Sequence, residues 1–218
     1  MTEEPRTGIL QRGKETVAIV TRTPMGLISP DELETIAKVA RKHEIPIIKI
    51  TSAQRLALVG IKPENVENVW QDLGIEPGPA VGLCVHYVQA CPGTAVCKFG
   101  VQDSLGLAAE LEKLFVGVKM PAKTKLGISG CPFCCGEGHV KDLGVFGKKS
   151  GWTVTFGGNS GAKARVGDII AENISTEEVI ALAKKCLDYY VANGKNRERT
   201  ARFVDRIGIE EFKKAVLE

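Results

Sequence analysis

Cys91-Pro-Gly-Thr-Ala-Val-Cys97 and, after a gap of 33 residues, Cys131-Pro-Phe-Cys134-Cys135 are the stretches on which the reading of this chain turns. They give the spacings C-x5-C and C-x3-C. The N-terminus, Met1-Thr2-Glu3-Glu4-Pro5, is acidic and polar and does not read as an export signal. Thiols in that setting hold metal more often than they form disulfides. Four thiolates from two loops match a [4Fe–4S] cluster, which takes one sulfur for each iron. Structural zinc is the competing reading. Cys131-x2-Cys134 has zinc-knuckle spacing, but five residues between Cys91 and Cys97 suit zinc poorly. Pro92 and Pro132 stiffen the two loops. Gly93, Gly130 and Gly136 allow close approach of the backbone.

Upstream of the cysteines, residues 1–13 read as a loose arm. Thr16–Thr21 is β-branched and apolar, hence a strand. Ser29-Pro30-Asp31-Glu32 opens a helix, with Ser29 as N-cap, Pro30 at the first helical position and Glu32 closing a capping box. Leu33, Ile36, Ala37 and Ala40 follow at helical spacing. Ile47–Thr51 and Arg55–Val59 read as strands. Pro63 opens a second helix with Val66, Val69, Trp70 and Leu73 on one face, stopped by Gly74. Glu76-Pro77-Gly78-Pro79 reads as a boundary.

Beyond it, Ser104–Phe115 reads as a helix with Leu107, Leu111 and Leu114 inward. Leu126–Ser129 is a short strand running into the second cysteine pair. Asp142–Phe146 and Trp152–Phe156 are strands across a polar turn. Ser175-Thr176-Glu177-Glu178 is a second capping box, opening a helix through Tyr189. A basic segment, Lys195–Arg206, leads to a terminal helix at Glu210–Leu217. Cys84 and Cys186 lie in apolar segments and read as core residues.

The 218 residues hold enough chain for one or two small domains with a real core. The apolar share of 44% and charged share of 25% are those of a globular protein. A net charge of +3 is too small to point to nucleic acid. No apolar run approaches the roughly 20 residues of a membrane span. The expectation is a cytoplasmic protein with no membrane partner.

The cysteine pattern, with Lys98-Phe99-Gly100 after the first pair and Gly157-Gly158-Asn159 after the second, resembles that of the sirohaem- and [4Fe–4S]-containing sulfite and nitrite reductases. The resemblance runs from about Gly8 to the C-terminus. In its short length the chain is similar to the small assimilatory-type sulfite reductases. Ile50–Arg55 and Gly157–Arg165 also resemble the sirohaem region of large NADH-dependent nitrite reductase subunits. The fold this implies is α+β: a ferredoxin-like N-terminal half-domain over residues 1–76, then an α/β sirohaem–[4Fe–4S] domain over residues 77–218. Large assimilatory sulfite reductases carry two copies of this unit. Here the sequence shows one copy and no further ferredoxin-type cysteine insertion, so one sirohaem and one cluster are expected.

The resemblance implies cluster ligation by Cys91, Cys97, Cys131 and Cys135, with Cys135 also bridging to the sirohaem iron; Cys134, next to it, is left to packing by the family spacing, and an exchange of roles between the two neighbours is the alternative. Sirohaem is rich in carboxylates, which calls for cations and neutral donors around one ring. By motif position these are Arg22, Arg55, Lys98, Lys163 and Arg165, with Thr51, Ser52, Gln54 and Asn159 as hydrogen-bonding groups. The Gly157–Gly161 run is not a phosphate loop, since no Lys-Ser or Lys-Thr ends it. Lys123 and Lys125 share one face of an extended segment. By resemblance they bind the substrate anion and deliver protons, against the plain alternative of a solvated strand entry. The family's substrate-binding Arg falls on Ala53, and Arg55, two residues on, is the candidate to replace it. His43, His86 and His139 have no metal-ligand spacing. The expected activity is six-electron reduction of sulfite to sulfide, with electrons from a separate donor protein. Nitrite reduction, or a sirohaem electron-transfer subunit without turnover, are the alternatives.

Overall fold

The computed structural model describes residues 8–218, and the chain divides after Val81 into two units. The first unit holds a four-stranded antiparallel sheet in the order β1-β2-β4-β3, from β1 (Ile9–Leu10), β2 (Val17–Val20), β3 (Ile47–Ile50) and β4 (Leu56–Ile61). Helix α1 (Pro30–Lys42) follows β2, and α2 (Val66–Leu73) follows β4. The capping box at the head of α1 is formed: Glu32 N–H donates to Ser29 Oγ, and Ser29 N–H donates back to the Glu32 carboxylate. A cap of this kind stabilises a helix by about 1 kcal/mol. Gly74 ends α2 in the left-handed region at φ 61°, where glycine is unstrained. Val17, Ile19, Ile36, Val39, Leu58 and Trp70 form the core between sheet and helices. Residues 1–7 of the expected arm lie outside the described residues. Its remainder is not loose, because Ile9 and Leu10 pair with Ala18 and Val17.

The second unit is a five-stranded mixed sheet in the order β5-β6-β7-β8-β9. Its strands are β5 (Val85–Ala90), β6 (Thr124–Ser129), β7 (Leu143–Lys148), β8 (Gly151–Phe156) and β9 (Asp168–Ile174). β5, β6 and β7 run parallel; β8 and β9 complete an antiparallel meander. Helix α3 (Ser104–Phe115) makes the crossover from β5 to β6. Its buried positions are Leu107, Ala108, Leu111 and Phe115, while Leu114 is 48% exposed. The inward stripe therefore ends on Phe115, one position later than the leucine spacing suggests. Helices α4 (Thr176–Asn193), α5 (Thr200–Ile207) and α6 (Ile209–Leu217) follow. Ser175 and Glu178 form the second capping box. Phe156 stacks on Phe212 at 4.5 Å between centroids, and Phe203 meets Tyr190 edge-on at 5.2 Å. Phe156, Tyr190, Phe203 and Phe212 are fully buried, and this aromatic cluster fastens α4, α5 and α6 to β8. Cys186 is fully buried on α4, and burial pushes its thiol pKa up. Cys84 is only half-buried, so the core reading holds for one of the two. Among the described residues no helix is long and apolar enough to cross a membrane.

Candidate functional site

Both cysteine loops leave the same edge of the second unit's sheet. β5 and β6 are parallel neighbours with Ala90 opposite Ile128, so their C-terminal ends lie together. Ligands of open α/β sheets collect at that edge. Cys91 follows β5 directly, and its N–H donates to the Ile128 carbonyl at 3.1 Å. The loops meet backbone to backbone. A Cβ on Gly130 would stand 2.6 Å from the Gln102 carbonyl oxygen and 2.7 Å from Gly93 Cα, so only glycine lets them close. Gly130 N–H points at Cys91 Sγ at 3.2 Å, and Ser104 Oγ lies 3.5 Å from the same sulfur. Ser104 Oγ also donates to the Cys91 carbonyl at 2.7 Å, so both the backbone and the sulfur of Cys91 are held in place.

All seven cysteines are free thiols. Cys91 and Cys131 are buried, Cys97 and Cys134 half-buried, and Cys135 exposed. Cys134 occupies the left-handed region at φ 56°, donates its N–H to the Cys131 carbonyl and accepts from Glu137 N–H. Among the described residues no three His, Cys, Asp or Glu side chains are grouped to hold one ion. A zinc ion needs four donors within about 2.0–2.3 Å of one centre. A four-iron cluster instead spreads its thiolates one to an iron. Two abutting loops with free thiols at a sheet edge fit the cluster. Lys98 belongs to this edge. It is exposed, with its ammonium 5.0 Å from the Phe99 ring centroid, and Phe99 meets Phe133 edge-on.

From Cys135 the chain turns back along the sheet. Gly136 N–H donates to Ser129 Oγ at 2.8 Å, and a Cβ on Gly136 would stand 2.1 Å from the Ile128 carbonyl oxygen. The return segment ends at Lys141 and Asp142, beside the start of β6. His139 packs its ring on Phe146. Lys141, 3% exposed, pairs with Glu137 at 2.8 Å.

At this second end the groups are charged. Asp142 is fully buried. It accepts the Lys125 backbone N–H (2.9 Å), the Thr200 hydroxyl (2.6 Å) and the Arg199 fork, with Nη2 at 2.7 and 2.9 Å and Nε at 3.1 Å. Lys125 is half-buried, and among the described residues its ammonium makes no hydrogen bond or ion pair. Burial lowers its pKa. Arg199 and, more weakly, Lys141 push the same way, against the opposing pull of Asp142 and Glu137. Lys123 has the same half-buried exposure one position before β6.

The loop after β8 stands at the same end, since Phe156 pairs with Leu143. Asn159 and Arg165 exchange backbone hydrogen bonds, and Asn159 Nδ2 donates to the Lys163 carbonyl. Arg165 is committed to the protein: Nε to Asp205, Nη2 to Asp168, and Nη1 to the Gly157 and Val166 carbonyls. Desolvation alone would lower its pKa, but Asp168 and Asp205 more than reverse this and raise it. Arg165 thus braces the loop. A cavity of about 680 Å³ opens here, lined by Asn159, Lys163, Arg165, Arg197, Arg199 and Arg202 among others. Among the described residues the side chains of Lys163, Arg197 and Arg202 have no partner. Unpaired cations around one cavity are the donor set that a carboxylate-rich macrocycle needs. The sequence pattern does not pick out Arg197, Arg199 or Arg202, which look like part of a solvated basic run. Their one signal is proximity to the buried Thr200-Ala201 step.

In the first unit, Arg55 is 8% exposed and donates Nη1 to the Pro79 carbonyl at 2.8 Å. Its N–H donates to Thr51 Oγ1, and Thr51 N–H to the Arg55 carbonyl. Gln54 takes the tip of this turn at φ 57°, and its carbonyl accepts from Thr23 Oγ1. Arg22, next to Thr23, pairs with Glu76 at 3.0 Å. Arg22, Thr51, Gln54 and Arg55 are thus brought together at one turn.

Thiols at one edge of a mixed sheet and unpaired cations at the other define an iron–sulfur protein built to hold an anionic group. The chain belongs to the nitrite and sulfite reductase family: residues 82–218 match its nitrite and sulphite reductase 4Fe-4S domain, and residues 9–74 its ferredoxin-like half domain. It is 56% identical over 217 residues to an assimilatory-type sulfite reductase of Nitratidesulfovibrio vulgaris, covering all of both chains. It is 40% identical to an NAD(P)H nitrite reductase of Bacillus subtilis over 89% of this chain, but spans only 24% of that protein. A crystal structure of a dissimilatory sulfite reductase superposes with a TM-score of 0.82 at 14% identity, covering 92% of this chain and 69% of that one, which establishes the shared fold. The family's cofactors, a [4Fe–4S] cluster and a sirohaem, belong to this chain as well.

Proposed function

We propose that the protein reduces sulfite to sulfide with six electrons supplied by a separate donor protein, in the cytoplasm. The full-length likeness to an assimilatory-type sulfite reductase supports the substrate. The observation that carries the chemistry is the half-buried Lys125, whose backbone N–H shares the buried Asp142 with Arg199 and whose ammonium has no partner among the described residues. Cys91, Cys97, Cys131 and Cys135 hold the cluster, Cys135 standing at the bridging position. Sirohaem, when bound, supplies the iron on which sulfur is reduced and, with the cluster, the route for electrons. Lys163, Arg197 and Arg202 meet its carboxylates in the cation-lined cavity, with Asn159 donating and Arg165 holding their loop. Lys98 adds a cation at the cysteine edge. In the first unit, taken by itself, Arg22, Thr51, Gln54 and Arg55 form one turn that offers donors suited to a carboxylate-bearing group.

Lys125 and Lys123 offset the charge of the substrate anion. Low-dielectric surroundings make such a cation far more effective than in water. A lysine with a lowered pKa gives up its proton more readily, which suits the protonations that release oxygen as water. Nitrite reduction is the second reading, favoured by the 40% identity to a nitrite reductase. Assay of the purified protein with reduced viologen and each anion separates the two. Sulfite-dependent oxidation yielding sulfide is expected. Turnover with nitrite alone would replace the first reading by the second.

A further inference from the structure

We propose that Lys141 is a positioning residue for the cluster: its buried ammonium, paired with Glu137, holds the strained turn that presents Cys135. The proposal rests on the reading of Cys131 and Cys135 as cluster ligands.

The segment from Cys131 to Val140 is a ladder of three tight turns. Cys134 N–H donates to the Cys131 carbonyl at 3.2 Å, Glu137 N–H to the Cys134 carbonyl at 2.8 Å, and Val140 N–H to the Glu137 carbonyl at 3.0 Å. Cys134 at φ 56° and Glu137 at φ 59° are its corners, both in the left-handed region although neither is glycine. Such residues persist only where their surroundings hold them. Cys135 lies between the two corners and is exposed. The turns, and not packing around the thiol, therefore decide where its sulfur stands.

Lys141 holds the second corner. Its side chain is 3% exposed and lies across β6, where a Cβ on Gly127 would stand 2.6 Å from Lys141 Cγ. The ammonium sits 5.6 Å from the Tyr87 ring centroid and 2.8 Å from the Glu137 carboxylate. Breaking such a pair from one side leaves a buried charge, so the lysine keeps its grip on Glu137. Glu137 itself is 53% exposed, with water as its alternative partner. The constraint thus comes from the sheet, through Lys141, to the turn. A lysine that merely filled space over Gly127 would do so equally well without its charge.

Lys141→Met keeps the stem over Gly127 and Tyr87 and removes only the ammonium. In the cofactor-loaded variant, iron release to a chelator is expected to quicken roughly tenfold, the scale of one left-handed residue losing its restraint. The coupled magnetic signal of the two centres is expected to shift with it. Lys184→Met, which breaks an exposed pair with Asp188 on α4, is expected to change neither. Adding Glu137→Gly to Lys141→Met places at φ 59° a residue that needs no restraint there, and both readouts are expected to return toward wild type. Wild-type release and signal in Lys141→Met, with Cys135→Ser losing its iron, would overturn the proposal. A double variant no closer to wild type than Lys141→Met would overturn it too. Full iron in Cys135→Ser would instead overturn the ligand reading.

Discussion

At the C-terminal edge of β5 and β6 the second unit packs backbone on backbone, Gly130 against Gly93 and Gln102; at the start of β6 it packs charge on charge, Asp142 beneath Arg199, Thr200 and Lys125. The first end tolerates no added atom. The second gathers its cations around one fully satisfied carboxylate. The difference follows from what we propose each holds. A cluster needs four sulfurs fixed by short, stiff loops, so shape decides. An anion that changes charge as it reacts needs cations kept in a fixed field, so electrostatics decides.

The largest effect is expected at the cysteine end. Cys97→Ser removes a sulfur from the first loop and should abolish the cluster, whereas Cys186→Ser, on the buried face of α4, should leave iron and acid-labile sulfide at the wild-type level. Equal iron in the two variants would break the distinction between the cysteine edge and the core. Within the second loop, Cys135→Ala should disturb the coupled magnetic signal of the two centres more than Cys134→Ala. The reverse order would move the bridge to Cys134, the residue held at φ 56°.

Next comes Asp142. Asp142→Ala leaves the Arg199 guanidinium, the Thr200 hydroxyl and the Lys125 N–H without their acceptor. Breaking a buried ion pair from one side costs about 3–5 kcal/mol. Denaturant unfolding should show a loss of that size. A loss below about 1 kcal/mol, the range of exposed pairs, would show that the charge-on-charge end is solvated after all.

The two ends differ equally in how far they can be read from sequence. The cysteine loops are linear signals: spacing, prolines and glycines sit within a few residues of each sulfur. The two capping boxes are legible for the same reason. The charged end is assembled from Lys125, Asp142 and Arg199, and the last two are 57 residues apart. Nothing in either segment marks the other. Helix α5 is missed because Arg199, Arg202 and Arg206 alternate with its buried Ala201, Phe203 and Val204, so the apolar stripe is hidden inside a basic run. Strand β5 is missed because His86 and Gln89 interrupt its apolar residues, although all six positions are buried. Strand β9 is half-exposed and carries charges.

Gly130→Ala probes the shape-driven end. The new Cβ would stand 2.6 and 2.7 Å from backbone atoms of Gln102 and Gly93, so the loops must part. Overpacking of this kind costs about 1–3 kcal/mol. Because Gly130 N–H also points at Cys91 Sγ, iron content should fall with stability. Full iron at wild-type stability would mean that the loops need not touch.

The smallest expected effect separates the two ends by pH. Glu198, beside Arg199, accepts Arg206 Nε at 2.7 Å, Arg206 Nη2 at 2.8 Å and the Lys195 N–H at 2.9 Å. The Arg206 bonds, with help from Lys195, hold its pKa at about 2, against an ordinary 4.5. A carboxylate whose folded pKa is depressed adds stability in full above its unfolded pKa, and that stability fades as pH falls toward the folded value. Arg206→Gln removes the cause. Its deficit in melting temperature relative to wild type should therefore be widest near pH 6, narrow below about 4.5 and close as pH approaches 2. Measured on cluster-free protein, the Gly130→Ala deficit involves no carboxylate and should stay level over the same range. If the two deficits run parallel with pH, the Glu198–Arg206 pair adds nothing electrostatic to the turn that delivers Arg199. The charged end would then rest on Asp142 alone.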